Sequence, residues 1–212
     1  TNMKELKNPL IIVANGEFPK HLIPLAKLKE AQTIIACDGA ADTLIDKGYT
    51  PDVIIGDIDS LSDKNQTKYA KYIIEMSDQS QNDFRKAINY ARDHNVDNIR
   101  IIGASGKRED HTLGNIFSLL NYKNLKIKLY TDTGIFSCIH ESQNIKSFKG
   151  QQVSIFTLDN TMKITSIKLK YNFNKDLINS IYSGTLNEST SDYFRLLISH
   201  GSLLIFQTYQ LV

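Results

Sequence analysis

The stretch Ile54 to Leu61 reads IIGDIDSL, an apolar run that stops in two carboxylates, Asp57 and Asp59, and a hydroxyl, Ser60. Acids set this close raise the cost of ionising one another, and hard oxygen ligands suit a divalent cation. Further along, SDQSQND carries Asp78, Gln79, Asn82 and Asp83, and GASGKREDH, Gly103 to His111, carries Lys107, Arg108 and Asp110. Asn15-Gly16 and Asp38-Gly39 close two other apolar runs. Acids for a metal, a glycine-flanked basic loop, and helix N–H groups near Asp110 together describe a polyphosphate site. The chemistry inferred is phosphoryl or diphosphoryl transfer, which works through positioning and charge neutralisation, with Mg2+ as the expected cation. No GxxxxGK[ST] sequence occurs, so a P-loop enzyme is excluded.

Taken one at a time, these residues have plainer readings. Ser60 with Asp63 fits a capping box for the helix after that strand. Asp83 and Asp110 each precede an amphipathic stretch and fit N-caps. Asp38-Gly39 fits a turn, His111 a helix start, and Lys107-Arg108 a solvated loop. Jointly the plain readings strain. Asp57, Asp59, Asp78 and Asp83 would crowd negative charge onto one edge, and a bound cation relieves that.

The elements that must position these residues alternate. Apolar runs predict strands at Leu10–Ala14, Thr33–Cys37, Val53–Gly56, Tyr72–Glu75, Ile99–Gly103 and Lys126–Thr131. Between them lie stretches of helical spacing. Phe84, Ala87, Ile88 and Ala91 mark one face of Asp83–Asn95, and Leu113, Ile116, Phe117 and Leu120 one face of Asp110–Tyr122. Alternating strands and helices imply a mostly parallel, Rossmann-like α/β sheet covered on both faces, whose ligands bind beyond the strands' carboxyl ends. Five consecutive strand ends then carry the polar residues named above. After about Asp132 the pattern changes to short alternating stretches such as QQVSIFTL and MKITSIKLKY. The expected division is an α/β catalytic domain over 1–132 and a smaller antiparallel β-sandwich over 133–212. Short helices are expected near Lys175–Ile181 and Ser191–Ile198, with a final strand or two in GSLLIFQTYQLV.

The motifs ACDGAADTL, PDVIIGDIDSL, SDQSQNDFRKAI and GASGKREDHTLGNIFSLL, in this order and ahead of a β-rich segment, resemble the motif series of thiamine pyrophosphokinases along nearly the whole chain. The resemblance implies Mg2+-dependent transfer of a diphosphoryl group from ATP to the hydroxyl of thiamine, leaving AMP, by a homodimer whose β domain helps to hold thiamine. By position, Asp57, Asp59 and Asp83 would hold the metal. Asp38, Gly39, Ser60, Gln79, Asn82 and Arg108 would contact nucleotide or phosphates, and Asp110 would sit by the reacting hydroxyl. Tyr171 in IKLKYNF, and Thr185 and Asn187 in GTLNE, would serve thiamine, although Tyr171 also reads as a strand aromatic packed in the sandwich. Departures from the family pattern are Lys107 and Lys168 at usual glycines, Asn82 for threonine, Asn172 for proline and Leu186 for serine.

Composition adds bounds. Of 212 residues, 41% are hydrophobic, and a net charge of +2 gives no nucleic-acid footprint. The longest apolar runs are too short to span a bilayer, and no basic start leads into an apolar stretch, so neither a membrane span nor a signal peptide is expected. Thr1 and Asn2 ahead of Met3 read as an addition. Cys37 and Cys138 are single and far apart, which fits a reducing cytoplasm. Rival readings are a diphosphokinase acting on another heterocyclic alcohol, such as a hydroxymethylpterin, and a nucleotide- or vitamin-binding protein without turnover.

Overall fold

The computed structural model describes residues 5–210. The added-residue reading at Thr1 and Asn2, and the last two positions of the closing segment, lie outside them. Two compact units form: one takes the chain through Ile116 together with Asn124–Asp132, and the other takes Phe117–Lys123 together with the chain from Thr133 onward.

In the first unit the apolar runs become strands β1 (Leu10–Val13), β2 (Thr33–Cys37), β3 (Val53–Gly56), β4 (Ile73–Glu75), β5 (Asn98–Ile102) and β6 (Lys126–Tyr130). They are ordered β6-β5-β1-β2-β3-β4, and every pairing is parallel. Helices α1 (Leu22–Lys29), α2 (Ala40–Asp46), α3 (Asp63–Lys68), α4 (Asp83–Asp93) and α5 (Glu109–Ser118) make the connections. Every residue of β1, β2 and β3 is buried, as expected where helices cover both faces of a parallel sheet. β1 is central, with β5 on one side and β2 on the other, so chain order reverses there and a crevice opens at its carboxyl end. The helix read across Asp110–Tyr122 ends at Ser118 and tightens into a 3-10 turn over Leu119–Asn121.

The second unit holds two antiparallel sheets. Strands β7 (Gly134–Ile139), β8 (Gln143–Lys146), β9 (Gln152–Phe156), β10 (Ile164–Ile167), β11 (Asn174–Asp176), β12 (Asn187–Glu188), β13 (Tyr193–Ile198) and β14 (Leu203–Thr208) run in the orders β12-β9-β14-β7 and β11-β10-β13-β8. Val153, Ile155, Leu203 and Ile205 of one sheet meet Ile164, Phe194 and Leu196 of the other in a shared core, which makes the unit a sandwich. The two short helices expected here are absent. Asn174–Asp176 and Tyr193–Ile198 are strands, and in YFRLLI the buried positions Phe194 and Leu196 alternate with half-buried neighbours. Pairing with β8 and β10 on either side decides β13, which local pattern alone leaves ambiguous.

No helix of the described residues is long and apolar enough to cross a membrane.

Candidate active site

A cavity of about 580 Å³ opens at the carboxyl ends of β1 to β5. Its floor is acidic. Asp38, just past β2, is 3% exposed and has a left-handed φ of 40°. One of its oxygens accepts the Ser60 N–H at 3.1 Å, and the other, Oδ1, is buried without a hydrogen-bond partner. Carboxylate oxygens of Asp38, Asp57 and Asp59 all lie within 4.8 Å of one another. Burial, with the nearby charges of Asp59 and Asp83, pushes the Asp38 carboxyl up to about 6. Asp59, exposed, is held low, chiefly by the hydroxyl of Ser60, which donates to it at 3.0 Å.

The loop carrying these acids is fixed from outside. Ile58, between the two aspartates, has φ 65°, a strained value for a β-branched residue. Gln66 of α3 donates to the carbonyls of Ile58 and Leu61, and Asp42 of α2 accepts from the Ser62 N–H and hydroxyl. Ser60 therefore starts no helix: Ser62 is the N-cap position of α3, and the Ser60 hydroxyl is engaged by Asp59.

Asp83 opens α4 beside the trio and outside it. Its carboxylate accepts from Lys86 Nζ at 3.1 Å, and burial raises its pKa against the pull of that lysine. Lys86 is 5% exposed and also donates to the Met76 carbonyl at 2.7 Å, which ties the loop after β4 to α4. The N-cap of α4 is Asn82, whose Oδ1 accepts from the Arg85 N–H while its amide donates to Asn115. Asn82 lines the cavity, but both ends of its amide are engaged in holding α4 and α5. Gln79 reaches towards Asp57 at 3.5 Å. Asp78, counted from the sequence with the crowded acids, stays exposed and accepts from Ser80 of its own turn; Asp38 stands in its place.

The opposite wall is basic. Lys107 Nζ donates to the carbonyl and side-chain oxygens of Asn15, each at 3.2 Å. Arg108 faces the cavity, and its guanidinium is paired with Asp110. Gly16 lets the turn after β1 meet the loop after β5: its N–H donates to the Gly103 carbonyl at 2.7 Å, where a Cβ would collide. Gly39 sits at the head of α2, against Asn15 and Ser60.

In the β unit, Tyr171 lies on the turn between β10 and β11 and is 64% exposed, so it is not a packed strand aromatic. Asn187 is buried. Its Oδ1 accepts the Tyr171 N–H at 3.1 Å and its Nδ2 donates to the Tyr171 carbonyl at 2.8 Å. Both ends of the amide expected to meet a ligand bond to the backbone of Tyr171. The Thr185 hydroxyl donates to the Tyr182 carbonyl at 2.7 Å.

Two family models match this chain: "Thiamin pyrophosphokinase, catalytic domain" over residues 25–131, and "Thiamin pyrophosphokinase, substrate-binding domain" over residues 134–206. The chain belongs to the thiamin pyrophosphokinase family. A thiamine pyrophosphokinase of Bacillus subtilis is 36% identical over 128 residues, 56% of this chain and 58% of that protein's length. Thiamine pyrophosphokinase 1 of Oryza sativa subsp. japonica is 26% identical over 84% of this chain and 78% of its own. The crystal structure of the Bacillus subtilis thiamine pyrophosphokinase shares the fold, with a TM-score of 0.77 at 22% identity over 95% of this chain and 99% of that one. The two lysines at positions that the resemblance gives to glycine keep a glycine-like backbone: Lys107 and Lys168 adopt φ 59° and 67°. Leu186, at a position that the resemblance commonly gives to serine, has φ 61° and is 87% exposed. Lys86 and Asn115 both line the cavity and are among the residues that the sequence pattern did not single out. A lysine in an amphipathic helix reads as solvated, and nothing local signals its burial.

Proposed function

We propose that this chain transfers a diphosphoryl group from ATP to the hydroxyl of thiamine, giving thiamine diphosphate and AMP. The observation that carries the reading is the carboxylate trio, with the buried and unpartnered Asp38 oxygen, facing a basic loop across one cavity. Three carboxylates this close fit a hard divalent cation, which we take as Mg2+, held by Asp57 and Asp59 with Asp38 and Asp83 beside them. When bound, it would neutralise charge on the transferred phosphates. The chain's own groups do the rest. Arg108 and Lys107 offer charge-assisted contacts to phosphate oxygens, and Gln79, Gly39 and Ser60 border the nucleotide's place. The acceptor oxygen bonds to the β-phosphorus, and the bond from that phosphorus to the α-bridging oxygen breaks. AMP leaves with that oxygen, and Asp110 orients the hydroxyl and takes its proton. Tyr171 offers thiamine an aromatic face, on a turn bonded to Asn187, and Thr185 offers its hydroxyl.

We take the protein as a cytoplasmic homodimer without nucleic-acid or membrane partners. Its two cysteines are free, and the β unit exposes Tyr171, Tyr182 and Leu186. The deciding assay follows AMP release from ATP with thiamine and Mg2+ each omitted in turn. Both should be required. ADP as the main product overturns the reaction, and turnover with a hydroxymethylpterin but not with thiamine overturns the acceptor. Arg108→Ala should raise the ATP concentration needed and slow transfer at least tenfold, for loss of a charge-assisted phosphate contact. Unchanged ATP dependence would remove Arg108 from the site.

A further inference from the structure

The cation meant for phosphate and the acid meant for the acceptor hydroxyl hold each other. Arg108 Nε donates to Asp110 Oδ1 at 3.1 Å and Nη2 donates to Oδ2 at 2.7 Å, a two-point pair that covers the guanidinium edge a phosphate would use. Both side chains are about two-thirds exposed, 66% and 64%. Among the described residues, the guanidinium makes no other hydrogen bond. The backbone beneath is fixed: the Arg108 carbonyl accepts from the Thr112 N–H and hydroxyl as α5 begins, and the Arg108 N–H donates to Gly106. Arg108 lines the cavity and Asp110 does not. The basic loop is thus split, with Lys107 anchored on Asn15 and Arg108 swung onto its neighbour.

We propose that Asp110 is a gate on Arg108: the nucleotide's phosphates displace its carboxylate from the guanidinium, and the same exchange frees Asp110 to work on the acceptor. The proposal rests on the diphosphoryl-transfer reading. An exposed ion pair is weak and screened by salt, so a polyphosphate of higher charge outcompetes one carboxylate for it. The pairing also has a chemical consequence. While Arg108 holds it, Asp110 stays below the usual carboxylate range and is a poor proton acceptor; that restraint ends when the phosphates take the arginine. Acceptor activation thereby becomes conditional on nucleotide, which guards against an idle base beside an empty donor site.

The test measures binding of a nonhydrolysable ATP analogue with Mg2+, at low salt and without thiamine, by calorimetry. Asp110→Asn removes the competitor and should tighten analogue binding about three- to fivefold, although turnover falls. Glu109→Gln removes a charge from the same helical turn without touching the pair, and should leave affinity within about twofold of wild type. In an Arg108→Ala background, Asp110→Asn should change nothing. Unchanged or weaker binding by Asp110→Asn overturns the gate. So does equal tightening by Glu109→Gln, which would reveal a general charge effect, and so does tightening that persists without Arg108. A wild type that binds the analogue but releases no AMP with thiamine overturns the reaction instead, and leaves the binding comparison to judge the exchange.

Discussion

Asp38 shows how one side chain can hold both a cost and a use. Its folded-state pKa of about 6 lies above the ordinary 3.8, so its contribution to stability is full below about pH 4 and is lost as pH rises through 6. Without divalent ions, Asp38→Asn should melt above wild type at pH 7.5, by a difference on the order of 2 kcal/mol, and the gap should close towards pH 4. Thermal melts across that range check it; a pH-independent gap would show that Asp38 ionisation is not the source. Asp59 runs the other way. Held low by Ser60, it stabilises above pH 4 and that contribution fades as pH falls. Asp59→Asn should nearly abolish turnover with the fold intact, because it takes charge from the proposed metal site; wild-type rates would remove it from that role. The pair Asp57 and Asp59 was legible in the sequence, since two acids at a strand end announce themselves. Asp38 was read as a nucleotide contact, and its place beside them depends on how β2 and β3 lie together.

Elements place these acids through close approach. Gly56 ends β3, where a Cβ would lie 2.9 Å from Asp38 Cβ and 2.9 Å from Asp83 Oδ2. Gly56→Ala should push both acids aside, at a cost of about 1–3 kcal/mol in stability and at least a tenfold higher Mg2+ requirement for AMP release. An unchanged Mg2+ titration would separate the glycine from the site. In the β unit, Asn187→Ala removes both hydrogen bonds from its side chain to the Tyr171 backbone. We expect a loss of about 1–3 kcal/mol, with the thiamine KM raised and the ATP KM unchanged. Equal effects on both substrates would count against Tyr171 as the thiamine contact. The strands and long helices of the first unit were visible because burial on both faces writes continuous apolar runs, and covering one face writes a helical repeat. β13 was not, because YFRLLI carries no breaker and suits either state until β8 and β10 flank it.

At the scale of the whole molecule, the division into an α/β unit and a sandwich follows the change of hydrophobic period near Asp132. The short segment Phe117–Lys123 groups with the second unit, where Phe117 meets Phe156 edge-on at 6.1 Å. A homodimer should scatter light as twice the 24.0 kDa chain, and replacing exposed Tyr182 and Leu186 by aspartate should lower that mass if this face is covered. A wild-type mass of one chain at assay concentrations would refute the dimer.

By itself the sequence determined the kind of sheet, the order of the motifs and the charge character of the site, because these depend on local pattern and on residue type. Only the tertiary structure decided which acids share a cation-sized space, that Lys86 is buried against Asp83, that Asn187 serves a backbone turn, and that Arg108 rests on Asp110. Each of those facts is a distance between segments remote in the chain or a choice among partners within reach, and neither is written in the spacing of residues along a strand or helix.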